Sequence, residues 1–452
     1  MNRRDALRLL GAGGFGSLLL PAQTRPPNLL LIYADDLGWG DVGFNGRRSW
    51  TTPNLDRLAS QGVRFTRWYS GAVVCAPSRG CLLTGKYTIH SGLKRNSDDL
   101  APREVTIAEA LKPLGYLTAL IGKWHHGRRP TDGGFTHPLE QGFDQTFGFL
   151  NATHAHQHYP KTLFRNREEV AVSGYTADLF SDEAIRYIRD RRAGPFFLYL
   201  AYIESHFRIE APGEEVAKFR GKFREKDPNH PLNARYAAMI HRLDKGIGRV
   251  LAALDQAGLA DNTLVLFASD QGATFEKGND GASAYHDSNR PFRGQKRSLE
   301  EGGIRVPGVV RWPAAIRGGR VSGEVVHMID VLPTLVAAAG GKVDQAWKVD
   351  GLNMLEVFQG KAAAPERTLF WEWTSEGANM YAAMRGPLKL LEINGARFLY
   401  NVVEDPGERR TLVFEHPEMF QRLQTELTEW RKTEVQPWEP GARTPASSAG
   451  PR

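Results

Sequence analysis

Four largely apolar runs constrain what this chain can fold into: residues 29–33, 116–121, 196–202 and 264–268. A half-exposed strand alternates apolar and polar residues, whereas these runs are apolar on both faces, as in parallel strands covered by helices on either side. The segments between them carry a helical period. Residues 52–59 read as a short amphipathic helix closed by Gly62, and 105–114 as another. Residues 178–192 carry a stripe of Leu179, Ala184, Ile185 and Ile188. Residues 233–257 carry a longer one of Met239, Ile240, Leu243, Ile247, Val250 and Leu251. Both stripes read as core-facing. The alternation predicts an α/β fold with a large, mostly parallel sheet sandwiched by helices. A strand near Val309 and Val310 and a helix over 327–339 continue it. After Gly360 short strands at 369–373, 381–384, 388–393 and 398–402 predict a small antiparallel sheet, followed by a helix over 417–432.

Each apolar run delivers polar residues at its end, where open α/β sheets place their ligands. The first ends in Asp35-Asp36, the second leads to Lys123 and His125, and the third to Glu204-Ser205-His206. The fourth ends in Asp270-Gln271. Asp-Asp-Leu-Gly alone reads as a solvated turn. If the strands are neighbours, however, Asp35, Asp36, Asp270 and Gln271 bring four hard oxygen donors to one sheet edge, which suits a divalent cation such as Ca²⁺ or Mg²⁺. Lys123 and His125, two apart, can face one pocket, the first holding an anion and the second moving a proton. Residues 293–307 read as a basic loop, and His154, His156 and His158 as a substrate-facing loop, since no Cys or carboxylate lies near them in sequence to complete a metal site.

Cys75 opens a helical run that stops at Gly85, with Pro77 in its first turn and Arg79 one turn on. Its place at a helix N-terminus favours an anion there. The only other cysteine, Cys81, is six residues away, about 9 Å along a helix and too far for a disulfide. With two cysteines the chain has neither a disulfide framework nor a zinc pattern. The net charge of +7 over 452 residues is modest and reads as solubility rather than nucleic-acid binding. Arg3-Arg4 before a short, glycine-diluted apolar stretch reads as a bacterial export signal of the twin-arginine kind, which would make the protein periplasmic or extracellular; nothing in the sequence makes a stable membrane span. The expected organisation is an export signal at 1–23, a catalytic domain at 24–364, a smaller α+β unit at 365–433 and a disordered tail at 434–452. No feature sets an oligomeric state.

Cys75-Ala76-Pro77-Ser78-Arg79 resembles the C-x-P-S-R signature of the type I sulfatases. Residues 115–125, GYLTALIGKWH, resemble their second signature, and 293–307 a third block, in the family's order. The resemblance implies an alkaline phosphatase-like fold and hydrolysis of sulfate esters, of carbohydrates or aryl alcohols. It implies that a maturation enzyme oxidises Cys75 to formylglycine, whose hydrate attacks sulfur. It implies one Ca²⁺, Mg²⁺ being the second choice, on Asp35, Asp36, Asp270, Gln271 and the modified Cys75. Arg79 and Lys123 would hold the hydrate, His125 would take its proton, and Lys296 and His206 would meet the sulfate and the leaving oxygen. Gln271 stands where relatives usually have Asn, Arg208 where they have Pro, and His90 where many have Arg. A phosphonate monoester or phosphodiester hydrolase of the same superfamily, and a non-catalytic binder of sulfated glycans, are the alternatives.

Overall fold

The computed structural model describes residues 25–126, 136–190, 194–275, 278–375, 377–436 and 438. The expected export signal lies outside them. Of the expected tail, Glu434 is docked by an ion pair with Lys94 and Val435 by a backbone bond of 2.9 Å to Ile89, while all but Trp438 of its last part lies outside the described residues. Among the described residues no helix is long and apolar enough to cross a membrane.

The strands of the large sheet are β1 (Asn28–Ala34), β2 (Val63–Tyr69), β3 (Leu117–Lys123), β4 (Gln145–Phe149), β5 (Thr162–Arg165), β6 (Glu168–Ala171), β7 (Phe196–Ala201), β8 (Thr263–Ser269), β9 (Arg305–Arg311) and β10 (Arg320–His327). A second sheet holds β11 (Thr368–Trp373), β12 (Met380–Arg385), β13 (Leu388–Ile393) and β14 (Ala396–Asn401) in antiparallel order. The helices are α1 (Pro53–Gln61), α2 (Cys75–Thr84), α3 (Thr88–Ser91), α4 (Ile107–Leu111), α5 (Thr176–Arg189), α6 (Gly213–Ala217), α7 (Leu232–Gln256), α8 (Ala282–Tyr285), α9 (Glu301–Ile304), α10 (Val331–Ala338), α11 (Leu355–Gln359) and α12 (Pro417–Arg431).

The ten strands run in the order β10-β2-β9-β8-β1-β7-β3-β4-β5-β6. The four apolar runs of the sequence are the adjacent, parallel strands β8, β1, β7 and β3 at its centre. Both faces of β1 are buried: Leu30, Ile32 and Ala34 pack with α5 and α7, while Leu29, Leu31 and Tyr33 pack with α2, α4 and α10. Each fully buried Leu or Ile contributes about 1.5–3 kcal/mol relative to exposure, so the run holds the sheet between two helical layers without needing polar positions.

Register fixes the site. Ala34 lies opposite Ser269, Tyr33 opposite Ala201, and Ala201 opposite Gly122. The residues that follow these positions therefore leave the sheet side by side. Gly122 has φ 113°, and a Cβ there would come within 1.9 Å of the Ala201 carbonyl oxygen, so only glycine lets β3 lie this close to β7 just before Lys123. The helix expected over 105–114 is shorter than its pattern: α4 ends at Leu111, and Lys112-Pro113-Leu114 forms a 3-10 turn because Pro113 cannot donate the next helical bond. The expected helix at 327–339 likewise starts later, at Val331, after His327 has closed β10 and capped a 3-10 turn.

Candidate active site

Cys75 is the first residue of α2, after Val74 in extended conformation, and Gly85 ends the helix in the left-handed region at φ 68°. No side chain of the preceding residue caps it. Instead the Ala76 N–H donates to Asn96 Oδ1 at 3.1 Å. Around the buried sulfur, Cys75 Sγ donates to Asp35 Oδ1 at 3.3 Å, and Gln271 Nε2 and Lys296 Nζ approach Sγ at 3.4 and 3.5 Å. Two of the expected strand exits and the basic loop thus meet at one atom.

The charges are paired without solvent. Lys123 Nζ lies 2.6 Å from Asp35, and Arg79 lies 3.0 Å from Asp270 and 3.5 Å from Asp35. Lys296 Nζ reaches both oxygens of Asp36 at 2.9 and 3.0 Å. Asp270 Oδ1 accepts the backbone N–H groups of Asp36 and Gln271, each at 3.0 Å. The backbone is strained here: Asp36 has φ 57° and His125 φ 73°, conformations that non-glycine residues hold only when their surroundings demand it. Burial would raise the Asp35 carboxyl, but the Lys123 and Arg79 charges outweigh it and hold it well below the usual carboxylate range. Burial and the Asp35 charge push Asp270 well above that range. Burial, reinforced by Asp35, also raises the Cys75 thiol, which stays protonated.

The oxygens of this cluster suit a hard divalent cation. Ligand atoms of Asp35, Asp36, Cys75 and His206 all lie within 4.8 Å of one another. Gln271 turns its amide nitrogen to Asp36 and leaves Oε1 buried without a hydrogen-bond partner among the described residues. A rotation of that amide would aim the orphaned oxygen at the carboxylates, which is what an oxygen-coordinated cation between them would favour. Asp270, expected among the ligands, also holds Arg79 and two backbone N–H groups, and His206 stands close to the Asp35 and Asp36 carboxylates.

The histidines separate into roles. Burial, then Lys123, His126 and Arg79, keep His125 neutral, and neither of its ring nitrogens has a hydrogen-bond partner among the described residues. His206 Nδ1 lies 2.6 Å from the Phe207 carbonyl oxygen and Nε2 3.4 Å from Lys296 Nζ. His156 stacks on His206 with ring centroids 4.9 Å apart, so the 154–158 loop reaches the site. His158 Nε2 donates to the His206 carbonyl at 3.0 Å, since a carbonyl only accepts, while His154 packs on Phe149. His90 is elsewhere: it clasps Asp350 at 2.8 Å and Thr433 at 2.7 Å, joining α3 to the segment after α12. Two contributors carried no functional signal in the sequence, Asn96 and Tyr199, whose hydroxyl meets Arg79 at 3.3 Å. Asn96 belongs to no motif; Tyr199 was legible only as a strand residue.

Residues 27–341 match the family model described as Sulfatase, and residues 293–433 the one described as N-sulphoglucosamine sulphohydrolase, C-terminal. The steryl-sulfatase of Mus musculus is 34% identical over 437 residues, covering 77% of this chain and 68% of that protein. The N-acetylgalactosamine-6-sulfatase of Mus musculus is 33% identical over 399 residues, covering 81% and 71%. Among solved structures, that of Ps i-CgsB in complex with k-i-k-neocarrahexaose superposes with a TM-score of 0.84 at 29% identity, covering 92% of this chain and 96% of that one.

Proposed function

The chain belongs to the sulfatase family and is a sulfuric ester hydrolase, and from that premise we propose that its substrate is a sulfated saccharide, cleaved with a formylglycine made from Cys75 by a maturation enzyme and one calcium ion. The observation that carries this reading is the ring of Asp35, Gln271 and Lys296 around the Cys75 sulfur, buried among three acids and three bases. The saccharide is supported by two similar proteins, one named N-acetylgalactosamine-6-sulfatase and one seen with neocarrahexaose.

Asp35, Asp36, Asp270 and Gln271 would hold the ion, with the modified side chain at position 75 completing the set; the flexible oxygen shell of Ca²⁺ suits them better than the strict octahedron of Mg²⁺. When present, the hydrated aldehyde supplies an oxygen nucleophile and the ion a Lewis acid. The remaining work falls to the chain's own cations. A sulfate ester is anionic and repels a nucleophile, so Lys123, Lys296 and Arg79 offset its charge in a site closed to water. Arg79 and Lys123 also fix Asp35 and Asp270 in place.

Proton transfer can be assigned from donors and acceptors. The Phe207 carbonyl only accepts, so the His206 proton sits on Nδ1 and Nε2 is bare. Burial lowers the His206 pKa, so a second proton is not held. Lys296, beside that bare nitrogen, is then the member of the pair with a proton to give the leaving oxygen. His125, neutral and without a hydrogen-bond partner among the described residues, is the base that takes a proton on the side of Lys123.

Two measurements test the reading. Sulfate release should be followed on aryl and saccharide sulfates, with aryl phosphonate and phosphodiester as competitors; preference for the phosphorus esters would overturn it. Mass spectrometry of the active protein should find the Cys75 peptide as aldehyde rather than thiol, and chelation should abolish turnover until calcium is returned. Full activity with an unmodified thiol, or in chelator, counts against the mechanism.

A further inference from the structure

The segments 208–231 and 278–289, which follow β7 and β8, meet at a cavity of about 690 Å³ that none of the catalytic residues lines. Arg224 and Lys226 line it from the first segment, Asp280 and Tyr285 from the second, and Arg235 from the start of α7. The two segments are tied together. The Arg224 N–H donates to the Tyr285 hydroxyl at 2.9 Å, and the Arg224 carbonyl accepts from Asn233 Nδ2 at 2.7 Å. Tyr285 is nevertheless 46% exposed, an aromatic residue pinned at its hydroxyl. Behind it, His286 is wedged between Phe223 and Trp50, with ring centroids 4.8 and 4.9 Å away, which fixes the base of the loop.

The charges on this cavity are not all spent. Glu225 accepts the Asn233 and Ala234 N–H groups at 2.9 and 2.8 Å, at the start of α7. Asp227 is held by His230 and by the Asn229 N–H, each at 2.8 Å. Neither is ion-paired to Arg224, Lys226 or Arg235, and these three cations have no carboxylate partner among the described residues. Asp280 lines the same cavity from the 278–289 segment.

The 278–289 segment also touches the active site. Gly278 lies against the Phe207 ring, so close that a Cβ would come within 3.1 Å, and the Phe207 and His206 rings are 4.3 Å apart. Gly278 is three residues from Gly281 on the cavity rim, at most about 11 Å of chain. The cavity is therefore linked to the surroundings of His206 through one short segment.

We infer that this cavity is a second saccharide subsite, taking a neighbouring sugar of an oligosaccharide whose sulfated unit is bound over Cys75. The inference rests on the proposal that the substrate is a sulfated saccharide. A sugar ring presents C–H groups on one face, and these pack on the Tyr285 ring as apolar groups pack on any aromatic face. The guanidinium forks of Arg224 and Arg235 match a sulfate or carboxylate on that sugar. Asp280 accepts from its hydroxyls.

The test compares p-nitrophenyl sulfate with a sulfated disaccharide and hexasaccharide of the same glycan, in two series, one ending in k-i-k-neocarrahexaose and one built on N-acetylgalactosamine 6-sulfate. In Tyr285→Ala and Arg235→Ala the KM for the cleaved hexasaccharide should rise about tenfold more than that for p-nitrophenyl sulfate, as expected for a lost stacking or charged contact. Tyr285→Phe, which keeps the ring, should retain most of the hexasaccharide affinity and guards against misfolding as the cause. Equal changes on all substrates, or none, overturn the subsite. So does wild-type enzyme that cleaves disaccharide and hexasaccharide with the same KM, an outcome that leaves the saccharide sulfatase reading standing. Cleavage of p-nitrophenyl sulfate with no saccharide hydrolysed overturns the saccharide proposal, and the subsite with it.

Discussion

Lys296 joins three groups of the site: the Asp36 carboxylate through both oxygens, the Cys75 sulfur and the bare nitrogen of His206. In the proposed mechanism its removal takes away a charge opposite the sulfate and the proton for the leaving oxygen. Lys296→Ala should therefore lower sulfate-ester turnover by about 10²–10³-fold. Thermal unfolding measured beside the kinetics should show a folded protein, and a near-normal rate would remove Lys296 from the mechanism. Residues that carry a motif, or stand at the end of an apolar run, were legible in the sequence: Cys75, Arg79, Asp35, Asp36, Lys123, His125, Asp270 and Gln271 gather in one buried cluster as expected. Asn96 was not, because it reaches the site from a loop whose path no local periodicity encodes, while for the 154–158 loop the sequence indicated that it faces the substrate but not which histidine stacks on His206.

At the scale of elements, the loop that carries Lys296 is held by the smaller sheet. Lys389 on β13 is fully buried and reaches Glu301 on α9 at 2.9 Å and Glu408 at 2.8 Å. Glu301 also accepts from the Tyr69 hydroxyl at 2.9 Å and from Arg305 at 3.1 Å. Glu408 accepts the Glu301 N–H at 2.7 Å in return. Lys389→Met leaves two buried carboxylates sharing one remaining cation, a loss of about 3–5 kcal/mol. Denaturant unfolding should register that loss, and because α9 directly follows the Lys296 loop, kcat/KM should fall with it at temperatures where the variant is folded. Unchanged stability would mean that water or a rearranged partner replaces the ammonium. The antiparallel sheet and α12 were legible from alternation and turns, whereas β2 and β10 were not: Arg64 and Arg67 interrupt the one, and exposed residues on the sheet's edge dilute the other. Their pairing makes this end of the sheet mixed, with β9 antiparallel to both neighbours.

Over the whole molecule, what no single element determines is strand order, and the site depends on it, since Asp35, Lys123, His206 and Asp270 meet only because β8, β1, β7 and β3 are adjacent. The same dense packing leaves several histidines buried and neutral, which sets how the fold responds to acid. Burial, then Arg79 and Lys123, pull His126 down to about 3. Burial, with Arg47 adding to it against a bond to the Asn233 carbonyl, pulls His286 down to about 4. An unfolded histidine titrates near 6.5, so between these values the unfolded chain binds protons that the native one refuses. Their stabilisation is full above pH 6.5 and is lost as the pH falls toward 4. Asp41 works the other way, because burial raises it to about 6 and its native form holds a proton that the unfolded chain has released. Its smaller displacement leaves the histidines in control, and stability should fall on acidification below pH 6.5. His286→Gln keeps an N–H for the Asn233 carbonyl but cannot take up a proton. Between pH 7.5 and 5.0 the wild-type unfolding free energy should drop by about 2 kcal/mol more than that of the variant. Urea unfolding at the two pH values measures the difference, and parallel drops would show that His286 does not resist protonation in the folded protein.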